Sequence, residues 1–101
     1  MMKKISLLIL ALAFSLQAIA EKHALIIAVG DYLPKTGWST ISSANDVPLI
    51  KNTLLHQAFK EENIVVLKNE MATRTGILDA IKALQAKIKP GDIVVIHYSG
   101  H

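Results

Sequence analysis

The chain contains no cysteine among its 101 residues. This absence excludes a disulfide framework, a thiolate metal site and a cysteine nucleophile within the residues given. Two phosphate-binding signatures are also missing, because no G-x-x-x-x-G-K-[ST] sequence is present and Gly30 stands alone rather than in G-x-G-x-x-G. A P-loop nucleotide hydrolase and a dinucleotide-binding domain are therefore both disfavoured.

Outside the N-terminal region, the chain has little excess charge of either sign. Lys3 and Lys4 precede an apolar run from Ile5 to Leu16, which is followed by Ala18-Ile19-Ala20. A basic start, a short apolar run and small residues at an A-x-A position are typical of a secretory signal peptide. We expect residues 1–20 to be such a peptide and the protein to be exported. A retained membrane anchor is the alternative, but a spanning helix needs roughly 20 apolar residues.

The expected mature chain, residues 21–101, is nearly neutral. Without Lys3 and Lys4, nine basic residues face eight acidic ones, which leaves a net charge of +1. No basic stripe remains for a nucleic acid, so we expect no nucleic-acid partner and no stable membrane span after cleavage. A length of about 80 residues allows one domain, or part of one, with a marginal core.

Short apolar runs predict three β-strands, each bounded by turn residues. They are His23–Val29, Asn63–Leu67 and Ile93–His97. The first and third are apolar on both faces, which is typical of a parallel sheet covered by helices.

Helical periodicity occupies the two intervals between the strands. The first helix is predicted from an Asn45 N-cap to about Phe59, with an apolar face formed by Val47, Ile50, Leu54 and Ala58. The second is predicted to be capped by Thr73 or Thr75, with an apolar face formed by Ile77, Ile81, Leu84 and Ile88. The resulting β-α-β-α-β order predicts an α/β fold with a parallel sheet.

Two layouts of this unit satisfy the right-handed crossover rule. The third strand lies either beyond the second or beside the first, and the latter gives a three-layer sandwich of strand order 2-1-3. We predict order 2-1-3. In that layout, the loop from Gly30 to Asp46 and the ending Ser99-Gly100-His101 line one crevice at the carboxyl ends of the strands, where α/β sheets bind ligands.

Three residues at this crevice are candidates for chemistry. His101 leads, since histidine exchanges protons near neutral pH, although a surface histidine is the plainer interpretation. Asp46 begins a helix, where a carboxylate ordinarily contributes about 0.3–1 kcal/mol through the helix dipole. Ser99 either lines a pocket or serves as a turn residue. The other histidines show no ligand spacing, so we expect no metal site.

Three segments in this order resemble the caspase-like cysteine peptidases, especially the metacaspase branch. HALIIAVGDY is similar to that family's first strand and the turn after it. SANDVPLIKNTL is similar to its N-D-[AV] helix start, and IVVIHYSGH to the strand that ends in the catalytic histidine. The resemblance spans Lys22 to His101 and implies an incomplete caspase-like fold.

The resemblance also implies roles for the three candidates. His101 matches the catalytic histidine, the general acid/base partner of a cysteine thiolate that attacks the peptide carbonyl. Asp46 and Ser99 match positions lining the pocket for the side chain before the scissile bond, where a carboxylate pairs with Arg or Lys. Caspases that cleave after aspartate place an arginine after the first strand. Here Lys35 is the one cation between Gly30 and Asn45, which favours a basic substrate residue.

The cysteine of caspases follows the histidine by about 50 residues. We therefore expect the chain to be the N-terminal part of an exported cysteine-type endopeptidase acting on proteins or peptides, and to be inactive by itself. A non-catalytic caspase-like binding module and an unrelated flavodoxin-like domain are the alternatives. No cofactor is expected in this chain. The resemblance allows calcium in the full-length protein, although no acidic cluster is visible here.

Overall fold

The computed structural model describes residues 20–101, so all but the last residue of the predicted signal peptide lie outside the described residues. The main elements follow one another as β1 (Lys22–Ala28), α1 (Val47–His56), β2 (Ile64–Lys68), α2 (Arg74–Lys87) and β3 (Ile93–Ser99). The strands are parallel and lie in the order β2-β1-β3. The predicted α/β class and the 2-1-3 order are therefore confirmed.

β1 is the central strand, and its two faces supply two separate cores. On one face, Ala24, Ile26 and Ala28 pack with α1 residues, among them the buried Val47 and Leu54. On the other face, buried side chains pack against α2; these are Leu25, Ile27 and Leu67, with Ile77 and Ile81 of the helix. A strand covered by helices on both sides must be apolar where the helices cover it, and β1 is apolar from Ala24 to Ala28.

β3 is longer and less covered than predicted. Its last two residues, Tyr98 and Ser99, pair with Ile27 and Ala28 of β1, which extends the strand beyond the predicted end at His97. Val95 packs into the core beneath α1. On the opposite face Ile96 and Tyr98 are 54% and 53% exposed. This exposure arises because α2 packs over β1 and β2, leaving that face of β3 uncovered within the described part of the chain.

The start of α1 differs from the prediction. Asn45 lies inside a 3-10 turn, Ser43–Asp46, and its N–H donates to the carbonyl of Ser42 at 2.9 Å. Asp46 occupies the N-cap position, although its side chain makes no capping hydrogen bond. The prediction of Asn45 as N-cap is wrong because this tight turn precedes the α-helix and already engages the Asn45 amide.

The end of α1 also comes earlier, at His56 rather than near Phe59. Ala58 adopts a left-handed φ of +67°, and its N–H donates to the Leu55 carbonyl at 3.2 Å. The N–H of Phe59 donates to the Leu54 carbonyl at 3.1 Å. These two bonds form a Schellman motif, which reverses the chain and returns Phe59 to the core beside Leu54. The predicted place of Ala58 on the apolar face is therefore wrong.

α2 matches its prediction at the start and ends one residue early. The Thr73 hydroxyl accepts the N–H of Gly76 at 3.0 Å, so Thr73 rather than Thr75 is the N-cap. Ile88 follows the helix as its C-cap. Across residues 20–101, neither α-helix combines the length and the apolar character needed to cross a bilayer.

Candidate active site

The carboxyl ends of the strands meet at one edge of the sheet, here called the rim. It comprises Val29–Asp31 after β1, Asn69 after β2 and Ser99–His101 at the end of β3. The N–H of Val29 donates to the Ser99 carbonyl at 2.9 Å, which continues the pairing of β1 and β3 to their last residues. The loop after β1 and the end of β3 are thus neighbours, as the 2-1-3 order predicted.

Asn69 fixes the direction in which the chain leaves β1. Its Oδ1 accepts the N–H groups of Gly30 and Asp31 at 2.8 and 2.9 Å. Asn69 has a φ of +49°, a left-handed conformation that asparagine tolerates better than most residues. It was not among the residues predicted from the sequence, although a polar residue directly after an apolar strand is a usable indication of the rim.

Gly30 lets the loop return across the end of β1. The N–H of Ile41 donates to the Gly30 carbonyl at 2.9 Å. A Cβ atom at position 30 would collide with the carbonyl oxygen of Ile41. Glycine is therefore needed here for close approach of two backbones, and this approach keeps the loop against the rim.

Two tyrosine hydroxyls hold the backbone of His101. The Tyr32 hydroxyl accepts the N–H of His101 at 2.7 Å and donates to the Val29 carbonyl at 3.2 Å. The Tyr98 hydroxyl donates to the His101 carbonyl at 3.3 Å. A Cβ atom at Gly100 would lie 2.9 Å from the Tyr98 hydroxyl oxygen and 3.0 Å from that of Tyr32. Glycine therefore leaves room for both hydroxyl groups. The loop after β1 and β3 together position the histidine.

Trp38 and Tyr32 contact the ring of His101. The indole stacks on the imidazole with ring centres 4.8 Å apart and planes 22° apart. The Tyr32 ring is tilted by 55° at 5.2 Å. Among residues 20–101, no hydrogen bond engages either ring nitrogen of the exposed His101. The imidazole edge is thus open to proton exchange with a group that enters the crevice.

Ser99 and Asp46 occupy different surroundings at the same edge of the sheet. The Ser99 hydroxyl is buried and has no hydrogen-bond partner within the described residues, which is uncommon for a buried polar group. Asp46 is exposed at the start of α1 and belongs to none of the ion pairs found in residues 20–101. The structure brings Ser99 and His101 together at the end of β3, whereas no described hydrogen bond or ion pair joins Asp46 to either.

A metal centre is not formed by the described residues. Within residues 20–101, no group of three or more histidines and carboxylates is arranged to hold a metal ion. Calcium ordinarily takes six to eight oxygen ligands, and the rim does not present such a set. The described residues therefore do not fit a calcium site, and the chemistry derived below uses side chains alone.

Comparison with known families decides the relationship. The model of the metacaspase, peptidase C14 domain matches residues 22–101. The chain belongs to the metacaspase family. Membership rejects the alternative of an unrelated flavodoxin-like domain.

Individual relatives of this metacaspase chain agree with the family match. Metacaspase-1 of Lodderomyces elongisporus is 40% identical over 63 residues, covering 56% of this chain and 14% of that protein. Metacaspase-1 of Candida albicans is 38% identical over 63 residues, with the same coverage of 56% and 14%. Metacaspase-1 of Mycosarcoma maydis is 30% identical over 87 residues, covering 80% and 21%. The chain thus spans only 14–21% of the length of these relatives.

Proposed function

We propose that the parent protein of this metacaspase chain is an exported cysteine-type endopeptidase. In this proposal His101 is the general acid/base, and Asp46 and Ser99 line the pocket for the substrate side chain. One observation carries it: the His101 ring lies at the carboxyl end of β3, beside the loop that follows β1. Open α/β sheets bind ligands at this edge. The basic and apolar pattern of residues 1–20 supports export.

The proposed reaction assigns His101 four proton transfers, two in each half of the reaction, and its nucleophile is a cysteine that this chain does not contain. His101 accepts the thiol proton, and the thiolate attacks the peptide carbonyl. The C–N bond then breaks, and His101 donates the proton to the departing amine. Water next attacks the thioester and gives a proton to His101. The C–S bond then breaks, the acid product leaves, and His101 returns the proton to the thiolate.

The accuracy of these transfers depends on how firmly His101 is held. A misplacement of about 1 Å in a catalytic group can lower the rate roughly 100-fold. The hydroxyl of Tyr32 and the indole of Trp38 restrain, respectively, the backbone and the ring of His101. Both residues come from the loop after β1, so that loop supports the proposed catalytic group.

A basic residue before the scissile bond is the second part of the proposal. The segment from Gly30 to Asp46 contains two carboxylates, Asp31 and Asp46, and one cation, Lys35. Carboxylates form charge-assisted hydrogen bonds with arginine and lysine, whereas they repel an acidic side chain. Ser99, whose hydroxyl is buried at the end of β3, is the second residue in the proposed pocket lining. We therefore favour cleavage after Arg or Lys.

Fluorogenic peptides ending in Arg, Lys or Asp test this proposal in the purified parent protein. Cleavage after Arg and Lys should dominate, and a thiol-alkylating reagent should abolish it. Asp46→Asn should lower kcat/KM for the Arg peptide by about tenfold or more, since it removes a charged partner. Asp79→Asn is the matched control, because Asp79 is an exposed carboxylate on α2.

Two results would count against the proposal. Faster cleavage after Asp would reject the proposed specificity. Lack of any thiol-sensitive cleavage would favour the non-catalytic binding module instead. Each assay is run with calcium and with a chelator, which tests whether the full-length protein needs the ion.

A further inference from the structure

Glu21 lies just before β1, and both its backbone and its side chain are hydrogen-bonded. Its backbone N–H donates to Asp92 Oδ1 at 3.0 Å. Its carboxylate accepts hydrogen bonds from the Lys60 ammonium at 3.4 Å and from the Asn63 side-chain amide at 3.2 Å. Ala20, one residue earlier, is exposed. Glu21, which directly follows Ala18-Ile19-Ala20 in the sequence, is therefore held by these three hydrogen bonds.

The Asp92 carboxylate lies nearly buried at the edge of the sheet opposite the rim. Its Oδ2 accepts the N–H of Lys89 at 2.9 Å. The same oxygen lies 3.5 Å from Nε2 of His23, and both side chains are 7% exposed. Hydrogen bonds from the N–H groups of Lys89 and Glu21 lower the pKa of Asp92. The carboxylate is therefore ionised at neutral pH and directs Oδ1 at the nitrogen of Glu21.

We propose that hydrolysis of the Ala20–Glu21 bond frees the α-amino group of Glu21, which then forms an ion pair with Asp92. The C–N bond breaks, and water supplies a hydroxyl to the Ala20 carbonyl and a proton to the nitrogen. A second proton from solvent makes the amine an ammonium group. The nitrogen already lies within hydrogen-bond distance of Asp92, so no rearrangement is needed. This inference rests on the export of the proposed endopeptidase.

The ion pair would strengthen the pairing that carries the candidate site. The Glu21 carbonyl accepts the N–H of Ile93 at 2.9 Å, so Glu21 already bridges the beginnings of β1 and β3. An ammonium donor forms a stronger bond to a carboxylate than a neutral amide does. Cleavage would thus stabilise the pairing of β1 with β3 at the end where both strands begin. His101 lies at the opposite end of the same pair.

Several charged groups face the proposed ammonium group. The cleft around Glu21 and Asp92 is lined by cationic and anionic side chains and by the buried His23; the charged ones are Lys60, Lys87, Lys89 and Glu62. The lysines oppose an added positive charge, whereas Glu62 and the carboxylate of Glu21 favour it. The attraction of Asp92 outweighs these other charges because its carboxylate is hydrogen-bonded to the nitrogen itself at 3.0 Å.

The test begins with N-terminal sequencing of the exported parent protein, where Glu21 should be the first residue. The α-amine is then acetylated near pH 6.5, where it reacts before lysine because their ordinary pKa values are about 8 and 10.4. Acetylation keeps an N–H but removes the charge. It should raise the unfolding equilibrium constant about three- to tenfold at pH 7. In Asp92→Asn it should have no effect, whereas Asp79→Asn should respond like the wild type.

If Asp92→Asn does not fold, the ion pair is tested instead by measuring the stability of the free and acetylated wild-type protein as a function of pH. Pairing with a carboxylate raises the pKa of an amine, so the stabilisation is complete below about pH 8 and is lost as the pH rises further. The difference between free and acetylated protein should therefore vanish above about pH 10.

Three outcomes would overturn the inference: another first residue, no effect of acetylation, or an effect independent of Asp92 and of pH. Peptidase assays on the same samples separate it from the proposed function. An inactive protein with the Glu21–Asp92 coupling would reject only the endopeptidase, and an active one without the coupling would reject only the ion pair.

Discussion

His101 is held by side chains that act on different parts of it. Tyr32 binds its backbone N–H at 2.7 Å, and Trp38 stacks on its ring at 4.8 Å. Neither contact occupies a nitrogen of the imidazole, so both residues position the ring without competing for its protons. Trp38 is nevertheless 55% exposed, which places it where a peptide substrate would also meet it.

Substitution of Trp38 distinguishes positioning from substrate binding. If the proposed endopeptidase activity is present, Trp38→Ala should lower its kcat about two- to tenfold with little change in KM, since an aromatic pair contributes about 0.5–1.5 kcal/mol. Trp38→Phe should recover most of the rate because a phenyl ring also stacks. Leu33→Ala, an exposed apolar change in the same loop, is the control. A raised KM with unchanged kcat would instead assign Trp38 to the substrate.

At the scale of elements, the end of α1 stores strain that can be relieved. Ala58 adopts a left-handed φ of +67° in the Schellman motif, a position usually occupied by glycine. The left-handed conformation costs a residue with a Cβ atom roughly 1–2 kcal/mol. Ala58→Gly should therefore increase the free energy of unfolding by about 0.5–1 kcal/mol after the greater entropy of the unfolded chain is counted. Urea denaturation of the protein measures this change.

Asn69 provides the matched comparison, because it too has a positive φ, +49°. Asn69→Gly removes the two hydrogen bonds to the amides of Gly30 and Asp31. Loss of these bonds should lower the free energy of unfolding by about 1–2 kcal/mol. Stabilisation by both glycine variants would show that the Asn69 side chain contributes nothing to the rim.

Strands and helices were predictable because local patterns specify them. The β-branched run at the third strand and the Thr73 cap need no knowledge of the remaining fold. The end of α1 was not predictable, since Ala58 carries no glycine-like indication of a left-handed residue. Local patterns also left two strand orders open, because the neighbour of β3 depends on packing between distant segments.

The residues of the candidate site were likewise only partly predictable from the sequence. His101 and Ser99 were predictable as rim residues, since they end an apolar strand. Tyr32 was not, because its bond to the N–H of His101 joins residues 69 positions apart. The candidate residue could thus be placed at the rim from sequence, whereas the side chains that hold it depend on tertiary contacts.

For the whole molecule, the pairing of β1 with β3 links the two proposals. It runs from Lys22 opposite Ile93 to Ala28 opposite Ser99. One end adjoins Glu21 and Asp92, and the other presents His101 at the rim. Since β3 has one face exposed at Ile96 and Tyr98, its position depends chiefly on β1. Contacts at either end of this pair should therefore influence how firmly the histidine is held.

The ratio of kcat/KM between His101→Ala and His56→Ala in the parent protein tests the central claim most directly. His56 is a suitable control because it is exposed at the end of α1, where its Nδ1 is bonded to the Asn52 carbonyl at 2.8 Å. Loss of a general acid/base lowers rates by about 100-fold or more. We expect such a fall for His101→Ala and an unchanged rate for His56→Ala. Equal rates in the two variants, both matching the wild type, would contradict the assignment of His101.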